Sequence, residues 1–212
     1  MTTNTSRHNR SPHLAGLIRT VLTGLTLVFS LAVLPVLAQN ASPTAAVESV
    51  VNAILEILRK PDFVLEKDRA AIKAEILQGF DSVAMAQSVL STNWRQTTPA
   101  QQEEFKGLLM QTIENTYIGR IQAYSNETVN FKNEEISNNR ASVTTTVISA
   151  GKEIPVVYKL RLRSDGWFVY DVEIENVSMV NSYRDTYRSI VNSSGMDGLL
   201  EQMLSKLAEL GV

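Results

Sequence analysis

The stretch that decides the fold is Glu153–Arg184, EIPVVYKLRLRSDGWFVYDVEIENVSMVNSYR. Two runs in it alternate between apolar and polar residues, which is typical of strands that bury one face. Asp165-Gly166 between the runs predicts a hairpin turn, and the second run leads directly into a predicted helix. One face of this hairpin is therefore apolar and needs a cover. Its side chains are Ile154, Val156, Tyr158, Leu160 and Leu162 in the first arm, and Phe168, Tyr170, Val172 and Ile174 in the second.

The register of the hairpin depends on the length of its turn. A two-residue Asp165-Gly166 turn would place Leu160 opposite Asp171, an apolar side chain against a charged one. A three-residue turn, Ser164-Asp165-Gly166 with a left-handed Gly166, avoids this conflict and is our prediction. The predicted pairs are Leu162 with Phe168, Leu160 with Tyr170, Tyr158 with Val172 and, on the other face, Lys159 with Asp171.

The first 38 residues have the pattern of a secretory signal peptide. Three arginines precede an uncharged apolar run, Val21–Leu37, and Val36 and Ala38 suit the −3 and −1 positions of a cleavage site. We therefore predict cleavage after Ala38, a single mature domain of residues 39–212, and export of that domain. The alternative is an uncleaved membrane anchor.

Composition excludes several classes of active site from the mature chain. The protein has no cysteine, and its 2 histidines, His8 and His13, both lie in the predicted signal peptide. Nucleophilic sites that need histidine or cysteine and the usual zinc sites are therefore not expected. The signal also carries 3 of the 20 basic residues, so the mature chain has 17 basic against 22 acidic residues, a net charge of −5. That balance is not typical of a nucleic-acid-binding protein.

The order of elements along the mature chain predicts an α+β fold. Helices are expected over about residues 42–125, strands over about 129–176, and two closing helices over about 179–210. The fourth helix has the clearest start, because Thr98, Pro99 and Gln101 match an N-cap, a first-turn proline and a capping box. Its apolar stripe predicts a long helix that lies across the sheet. The stripe consists of Phe105, Leu108, Leu109, Ile113, Tyr117, Ile121 and Tyr124.

Two groups of side chains could carry a function. Asp171, Glu173 and Glu175 share one strand face and could serve acid–base chemistry or a divalent cation. The alternative is a solvated outer face whose acids pair with Lys159 and Arg161. Four tyrosines could instead rim a cavity between the long helix and the sheet, or belong to an ordinary core. They are Tyr117, Tyr124, Tyr158 and Tyr170.

From about Ala46 to Leu207 the sequence resembles the MlaC family, also called the toluene-tolerance auxiliary family, of periplasmic phospholipid-binding proteins. The resemblance rests on the order and spacing of short matches. Asn176 departs from the pattern, since the family usually has glycine there, and this puts the local turn geometry in question. The matches are Phe80-Asp81, Met85-Ala86, Leu90, Trp94, Thr98-Pro99, Gln102, Phe105, Tyr117, Val157-Tyr158, Trp167, Tyr170-Asp171-Val172, Val177-Ser178, Tyr183-Arg184 and the segment GMDGLL from Gly195.

The resemblance implies a non-enzymatic carrier without a cofactor, located in the periplasm of a Gram-negative cell. It implies an α+β fold with a curved, four-stranded antiparallel sheet of the nuclear-transport-factor type, packed against a long helix, with further N- and C-terminal helices. Proteins of this family shuttle phospholipids between the outer and inner membranes and maintain outer-membrane lipid asymmetry. Their partners are an outer-membrane lipoprotein–porin complex and the MCE-domain subunit of an inner-membrane ABC transporter.

The acyl chains are expected between the sheet and the helices, with Val177→Glu as the first substitution to test. Two alternatives stay open, an exported interaction protein with a solid core and a small hydrolase that uses Asp171 and Glu173. The predicted lipid-binding residues are Phe105, Leu109, Ile113, Tyr117, Tyr158, Leu160, Tyr170, Val172, Val177 and Met179.

Overall fold

The computed structural model describes residues 41–121, 128–149 and 151–210. The predicted signal peptide and Tyr124 lie outside the described residues. Five α-helices, a 3-10 helix and five strands follow one another along the described chain. They are α1 Pro43–Leu58, α2 Leu65–Gly79, α3 Ser82–Leu90, the 3-10 helix Ser91–Gln96, α4 Pro99–Ile121, β1 Thr128–Ser137, β2 Arg140–Ser149, β3 Lys152–Arg163, β4 Gly166–Ile174, β5 Val177–Ser178 and α5 Met179–Glu209.

The helices begin where the sequence places N-cap residues. At α4, the Gln101 amide donates to Thr98 Oγ1 over 3.2 Å, and the Thr98 amide donates to Gln101 Oε1 over 2.9 Å. This is the predicted capping box. Ser42 caps α1 and accepts from the amide of Ala45. The closing helix α5 contains a break at Gly195, whose φ is 71°, where the sequence predicted two separate helices.

The sheet is an antiparallel meander in the order β1-β2-β3-β4-β5. The four predicted strands are all present, and the two-residue β5 adds a short fifth strand against the end of β4. The predicted α+β class with an antiparallel sheet and a long helix is therefore confirmed. Glu175 and Asn176 form the turn before β5 with positive φ values of 51° and 65°. Asparagine tolerates this left-handed conformation, so the turn forms without the glycine that the family pattern has there.

The predicted hairpin register is correct at Lys159 and wrong beyond it. Lys159 pairs with Asp171, but a bulge follows, so Leu160 pairs with Val169. Ser164 and Asp165 form a two-residue turn, and Tyr170 becomes the extra residue of the bulge. The shift places Trp167 and Val169 in the core of the sheet instead of Phe168 and Tyr170.

Phe168 and Tyr170 are held by arginines outside that core. The Arg163 guanidinium lies 4.5 Å from the centre of the Phe168 ring. Arg140 donates to the Tyr170 hydroxyl over 3.0 Å and also lies over its ring. These contacts offer the two aromatic rings a stable position on the outer side, which the alternation pattern alone did not reveal.

Three apolar clusters hold the described domain together: two form the layers given next, and the third joins α1, α2 and α4 around the fully buried Ile72. In the first, α3, α4 and α5 pack around Phe105, Leu109 and Leu199, all of which are fully buried. In the second, α1 lies against the inner face of the sheet through Val47. The helix α4 packs mainly on α3 and α5 and contacts the sheet layer through Ile113 and Tyr117.

The first turn of α1 is fixed to the edge of the sheet by a half-buried polar contact. Glu134 on β1 accepts hydrogen bonds from the amide of Thr44 over 2.7 Å and from its hydroxyl over 2.6 Å. Because this end is anchored, the rest of α1 extends over the concave side of the sheet. The space between α1, α4 and the sheet is where the candidate site lies.

Candidate functional site

The helices α1, α2 and α4 enclose an apolar cavity of about 250 Å³ at one end of the sheet. Each of these helices contributes side chains from the face that it turns toward the sheet. Only two of the lining side chains, Lys73 and Glu114, carry a charge. The lining consists of Val50, Val51, Ile54, Lys73, Ile76, Leu77, Phe80, Met85, Met110, Ile113, Glu114, Tyr117, Ile118, Tyr158, Ile174 and Met179.

A second cavity of about 330 Å³ adjoins the first on the side of the sheet. It lies under α1 and over the inner face of β1 to β4. The two cavities have a common wall of five residues, so a small movement of these side chains would join them. The common wall consists of Val51, Ile54, Tyr117, Tyr158 and Ile174. The other lining residues of the second cavity are Leu55, Leu58, Val129, Val147, Ile154, Val156, Val172 and Glu175.

Tyr158 is the most strongly perturbed group in the common wall. Burial raises the pKa of its phenol to about 12, and a hydrogen bond with Thr145 opposes this rise only in part. The phenol is therefore neutral at physiological pH. A neutral tyrosine presents an apolar ring to the cavity and keeps its hydroxyl satisfied by a neighbour.

A charged cluster closes the first cavity between α2 and α4. Glu114 on α4 pairs with Arg69 Nε at 2.9 Å and with Lys73 Nζ at 2.7 Å. Burial alone would raise the pKa of the Glu114 carboxyl, but the hydrogen bonds from Lys73 and Arg69 lower it below its usual value. Glu114 is therefore ionised at neutral pH and holds both cations at the rim of the cavity.

The structure brings five of the ten predicted lipid-binding residues to the cavities. Ile113, Tyr117, Tyr158 and Met179 line the first cavity, and Val172 lines the second.

The remaining five predicted residues do not line either cavity. Phe105 and Leu109 are fully buried in the layer of α3, α4 and α5, and Leu160 is fully buried in the layer of the sheet. Tyr170 is bonded to Arg140 outside the core because of the register shift described above. Val177 is 61% exposed, so it is not the buried position that the Val177→Glu test assumed. The proposal of a lipid contact at these five positions has no support from the cavity geometry.

The sequence prediction missed the contribution of α1 and α2. Val51 and Ile54 of α1 face both cavities, and Ile76 and Leu77 of α2 face the first. The apolar stripe of α1 was visible as valines and isoleucines at helical spacing. What the stripe did not indicate is that α1, rather than α4, lies directly over the sheet.

The carboxylates of β4 have structural partners that leave little for catalysis. Asp171 is buried, against the prediction of a solvated position, and accepts from Ser178 Oγ over 2.7 Å and from the Val180 amide over 3.0 Å. It therefore satisfies the first turn of α5. Glu173 forms an ion pair with Lys159, whose pKa is raised mainly by this hydrogen bond. Arg161, the other predicted partner, pairs with Asp81 at 3.2 Å.

The described residues contain neither a candidate metal site nor a candidate membrane-spanning helix. No group of three or more candidate side chains could hold a metal ion within residues 41–121, 128–149 and 151–210. In the same part of the chain, the helices are too short or too polar to cross a membrane.

Comparisons with known proteins agree on one family. The model of the MlaC protein family matches residues 48–205. The intermembrane phospholipid transport system binding protein MlaC of Haemophilus influenzae is 23% identical over 174 residues, which cover 77% of this chain and 81% of that protein. A phospholipid-binding protein of Ralstonia solanacearum, solved in complex with a phospholipid, has a TM-score of 0.75 and 23% identity. The match covers 81% of this chain and all of that structure, so the two proteins have the same fold.

The family model covers most of the chain, including the helices and strands that enclose both cavities. The sequence matches quoted above fall within the same range. The chain therefore belongs to the MlaC family.

Proposed function

We propose that this protein is a periplasmic carrier that moves phospholipids between the outer and inner membranes and thereby maintains outer-membrane lipid asymmetry. The observation that carries the proposal is the pair of adjoining apolar cavities under α1. The Haemophilus relative is named as a phospholipid transport binding protein, and the Ralstonia structure contains a phospholipid. Both names support the same class of cargo for this chain.

The energetics of lipid transfer require an enclosed apolar site. A two-chain phospholipid has about 30 methylenes, and burying each from water is worth about 0.8 kcal/mol, so the tails represent about 25 kcal/mol in total. A carrier without a cavity cannot offset this cost during passage through water. The cavities here are close to the range of about 300–1,000 Å³ that is typical of ligand sites.

Loading of two acyl chains requires the cavity to widen, and α2 is one of the three helices that wall it. Ile72 is the buried side chain of α2. The helix also forms two ion pairs with Glu114 of α4, one through Arg69 and one through Lys73. In our proposal, α2 moves outward to admit the tails and closes over them. Docking to a membrane complex would favour the open form and so permit release.

The proposed partners follow from the family assignment. They are an outer-membrane lipoprotein–porin complex on one side and an inner-membrane ABC transporter with an MCE-domain subunit on the other. A carrier of this kind performs no covalent chemistry, needs no cofactor and is not an enzyme. Asp171 accepts a hydrogen bond from Ser178, and Glu173 forms an ion pair with Lys159. Because both carboxylates have structural partners, the hydrolase alternative is weakened.

The proposal is tested by extracting the purified protein with organic solvent and measuring phospholipid per protein by mass spectrometry. We expect bound phospholipid in the wild type and at least a tenfold lower ratio in Ile54→Glu. Ile54 belongs to the common wall of both cavities, so a carboxylate there would be buried against the acyl chains at a cost of several kcal/mol.

Val177→Glu is the matched control, because Val177 is 61% exposed and lines neither cavity. We expect this variant to keep the wild-type lipid ratio. Circular dichroism of each variant confirms that the fold is retained. Wild-type protein that contains no lipid, or folded Ile54→Glu protein with an unchanged ratio, would contradict the carrier proposal and favour an interaction protein.

A further inference from the structure

Lys73 and Glu114 lie at one edge of a cavity that is otherwise almost entirely apolar, and Arg69, which lines neither cavity, joins them through its ion pair with Glu114. Lys73 and Glu114 are the charged members of the lining of the first cavity. The Lys73 side chain is 43% exposed and that of Glu114 only 15%, so the cluster spans the boundary between the cavity and solvent. An amphiphile whose tails fill the cavity would have its polar group near this boundary.

Arg69 and Lys73 are one helical turn apart on α2 and therefore point to the same side of the helix. Both reach the same carboxylate across the gap to α4. Arg69 also donates through Nη2 to Oδ1 of Asn115, the residue that follows Glu114. The cluster therefore consists of two cationic donors on α2 that face one carboxylate and one amide on α4.

The cluster has more positive charge than its one acid can neutralise. Two cations and one carboxylate leave a net charge of +1. The next acid along α2, Asp68, is already engaged by Lys60 and by the amide of Val64. A phosphodiester carries one negative charge, so it matches the excess of the cluster in both sign and magnitude.

Asn115 provides a second observation that points to a polar ligand. Its Nδ2 atom is buried and has no hydrogen-bond partner among the described residues. This donor belongs to the same amide group whose oxygen accepts from Arg69. An unsatisfied buried donor is costly, and an anionic oxygen near Arg69 would remove that cost.

We propose that Arg69, Lys73 and the Asn115 amide bind the phosphate of a phospholipid whose acyl chains occupy the cavities. This inference rests on the carrier function proposed above and names the part of the lipid that the charged cluster recognises. In the empty protein, Glu114 holds the two cations and keeps α2 against α4. The phosphate then competes with Glu114 for the same donors. The cluster therefore holds α2 against α4 in the empty protein and binds the headgroup in the loaded protein.

The test compares two lipids with the same acyl chains, of which only one has a phosphate-containing headgroup. Delipidated protein is incubated with phosphatidylcholine-free vesicles that contain either phosphatidylglycerol or diacylglycerol with the same acyl chains. Lipid per protein is then measured by mass spectrometry. We expect the wild type to retain phosphatidylglycerol about tenfold better than diacylglycerol, since hydrogen bonds to charged groups give discrimination of this order.

The double variant Arg69→Gln/Lys73→Gln should lose this preference and still bind diacylglycerol as the wild type does. Lys67→Gln is the matched control, because Lys67 is an exposed lysine on the same helix that lines neither cavity. We expect it to keep the full preference. An unchanged preference in a folded double variant would overturn the headgroup proposal.

Glu114→Gln provides a test that does not remove the proposed ligands. Without the competing carboxylate, the two cations should bind the phosphate more strongly, so the preference for phosphatidylglycerol should rise above that of the wild type. A preference that falls or stays the same would contradict the proposed competition. This result stays informative if the double variant does not fold.

Two further outcomes separate this inference from the carrier proposal and from a site for free phosphate. A wild type that binds neither lipid would refute the carrier function itself, whereas equal binding of both lipids would refute the headgroup site alone. Calorimetric titration with inorganic phosphate identifies the remaining possibility. Saturable binding that disappears in the double variant, without discrimination between the two lipids, would indicate a free-anion site and overturn the lipid assignment.

Discussion

The two apolar layers of this protein contain similar side chains, yet the layer of helices is solid around Phe105 and Leu109, whereas the layer of the sheet borders two apolar cavities. Along α4, Phe105 and Leu109 are fully buried, whereas Ile113 and Tyr117, one and two turns further on, line the space beside the sheet. On the solid side, the Phe105 ring meets Tyr187 edge to face with 5.8 Å between ring centres. The stripe of one helix thus serves as core at one end and as cavity wall at the other.

The shapes of the packed elements explain this difference. Around Phe105 and Leu109, the helices α3, α4 and α5 fill the space between them by interlocking their side chains. A separate cavity of about 350 Å³, lined in part by threonines, lies between α4 and α5 further along both helices. A twisted antiparallel sheet is concave, and a straight helix cannot follow its surface over its whole length. Here α1 contacts the sheet at Val47 and leaves space below Val51 and Ile54. Apolar character therefore does not by itself distinguish a core from a binding site.

The largest expected effect comes from truncating the solid layer. Phe105→Ala removes a ring that is fully buried, so the free energy of unfolding should fall by about 3–5 kcal/mol. Ile113→Ala, on the same helix, removes a half-buried side chain beside an existing cavity and should cost only about 1 kcal/mol. Urea unfolding of both variants measures the difference. Equal losses would mean that the two layers are packed alike.

A smaller effect is expected where α2 approaches α1. A Cβ atom at Gly79 would lie 2.4 Å from Cγ2 of Val50, and the branched valine has little freedom to move away. Gly79→Ala should therefore lower the free energy of unfolding by about 1–3 kcal/mol. Val50 lines the first cavity, so lipid retention should fall as well.

The matched control for this variant is Gly107→Ala in α4, where nothing lies within 4 Å of the added Cβ. Alanine is the better helix former there, so thermal unfolding should show a gain of up to about 1 kcal/mol. If Gly79→Ala proves as stable as the wild type, the close packing of α1 on α2 that the structure shows is not rigid.

The smallest expected effect concerns the charged cluster at the rim of the cavity. The pKa of Glu114 is lowered in the folded protein, so its contribution to stability is present above the ordinary value of 4.5 and is lost as the pH falls through the depressed pKa. We expect Glu114→Gln to cost about 1 kcal/mol or less at neutral pH, because the cluster is partly exposed.

Urea unfolding of the wild type and Glu114→Gln over a pH series tests this prediction. The difference in the free energy of unfolding should be constant at neutral pH and shrink under acidic conditions. Glu103→Gln is the control, since Glu103 forms an exposed ion pair with Lys106 on one helix. A difference for Glu114→Gln that grows as the pH falls would show that the sign of the linkage is wrong.

The local signals in the sequence predicted the elements better than their contacts. The capping box at Thr98 and the existence of the strands β3 and β4 depend on neighbours in sequence, and both are present as predicted. The register of the hairpin depends on a bulge at Tyr170, whose hydroxyl and ring are both contacted by Arg140 of β2. No pattern within the two strands contains that information.

Asp171 shows the same limit of sequence patterns for residues that were predicted to have a function. Its spacing from Glu173 indicated an outer-face carboxylate, and the alternation itself is correct. The short strand β5 then brings Ser178 and the start of α5 onto this carboxylate and buries it. A potential catalytic residue thus becomes the cap of a helix through a contact that forms only when the chain folds back.

The amino-acid sequence by itself determined the α+β class, the order of the elements, the absence of histidine and cysteine chemistry from residues 39–212, and the resemblance to a lipid-binding family. These properties depend on composition and on periodic patterns, which act over short distances along the chain. Only the tertiary structure decided which apolar residues enclose space and which fill it. That outcome depends on the curvature of the sheet and the placement of α1, and these arise from contacts between residues that are far apart in sequence.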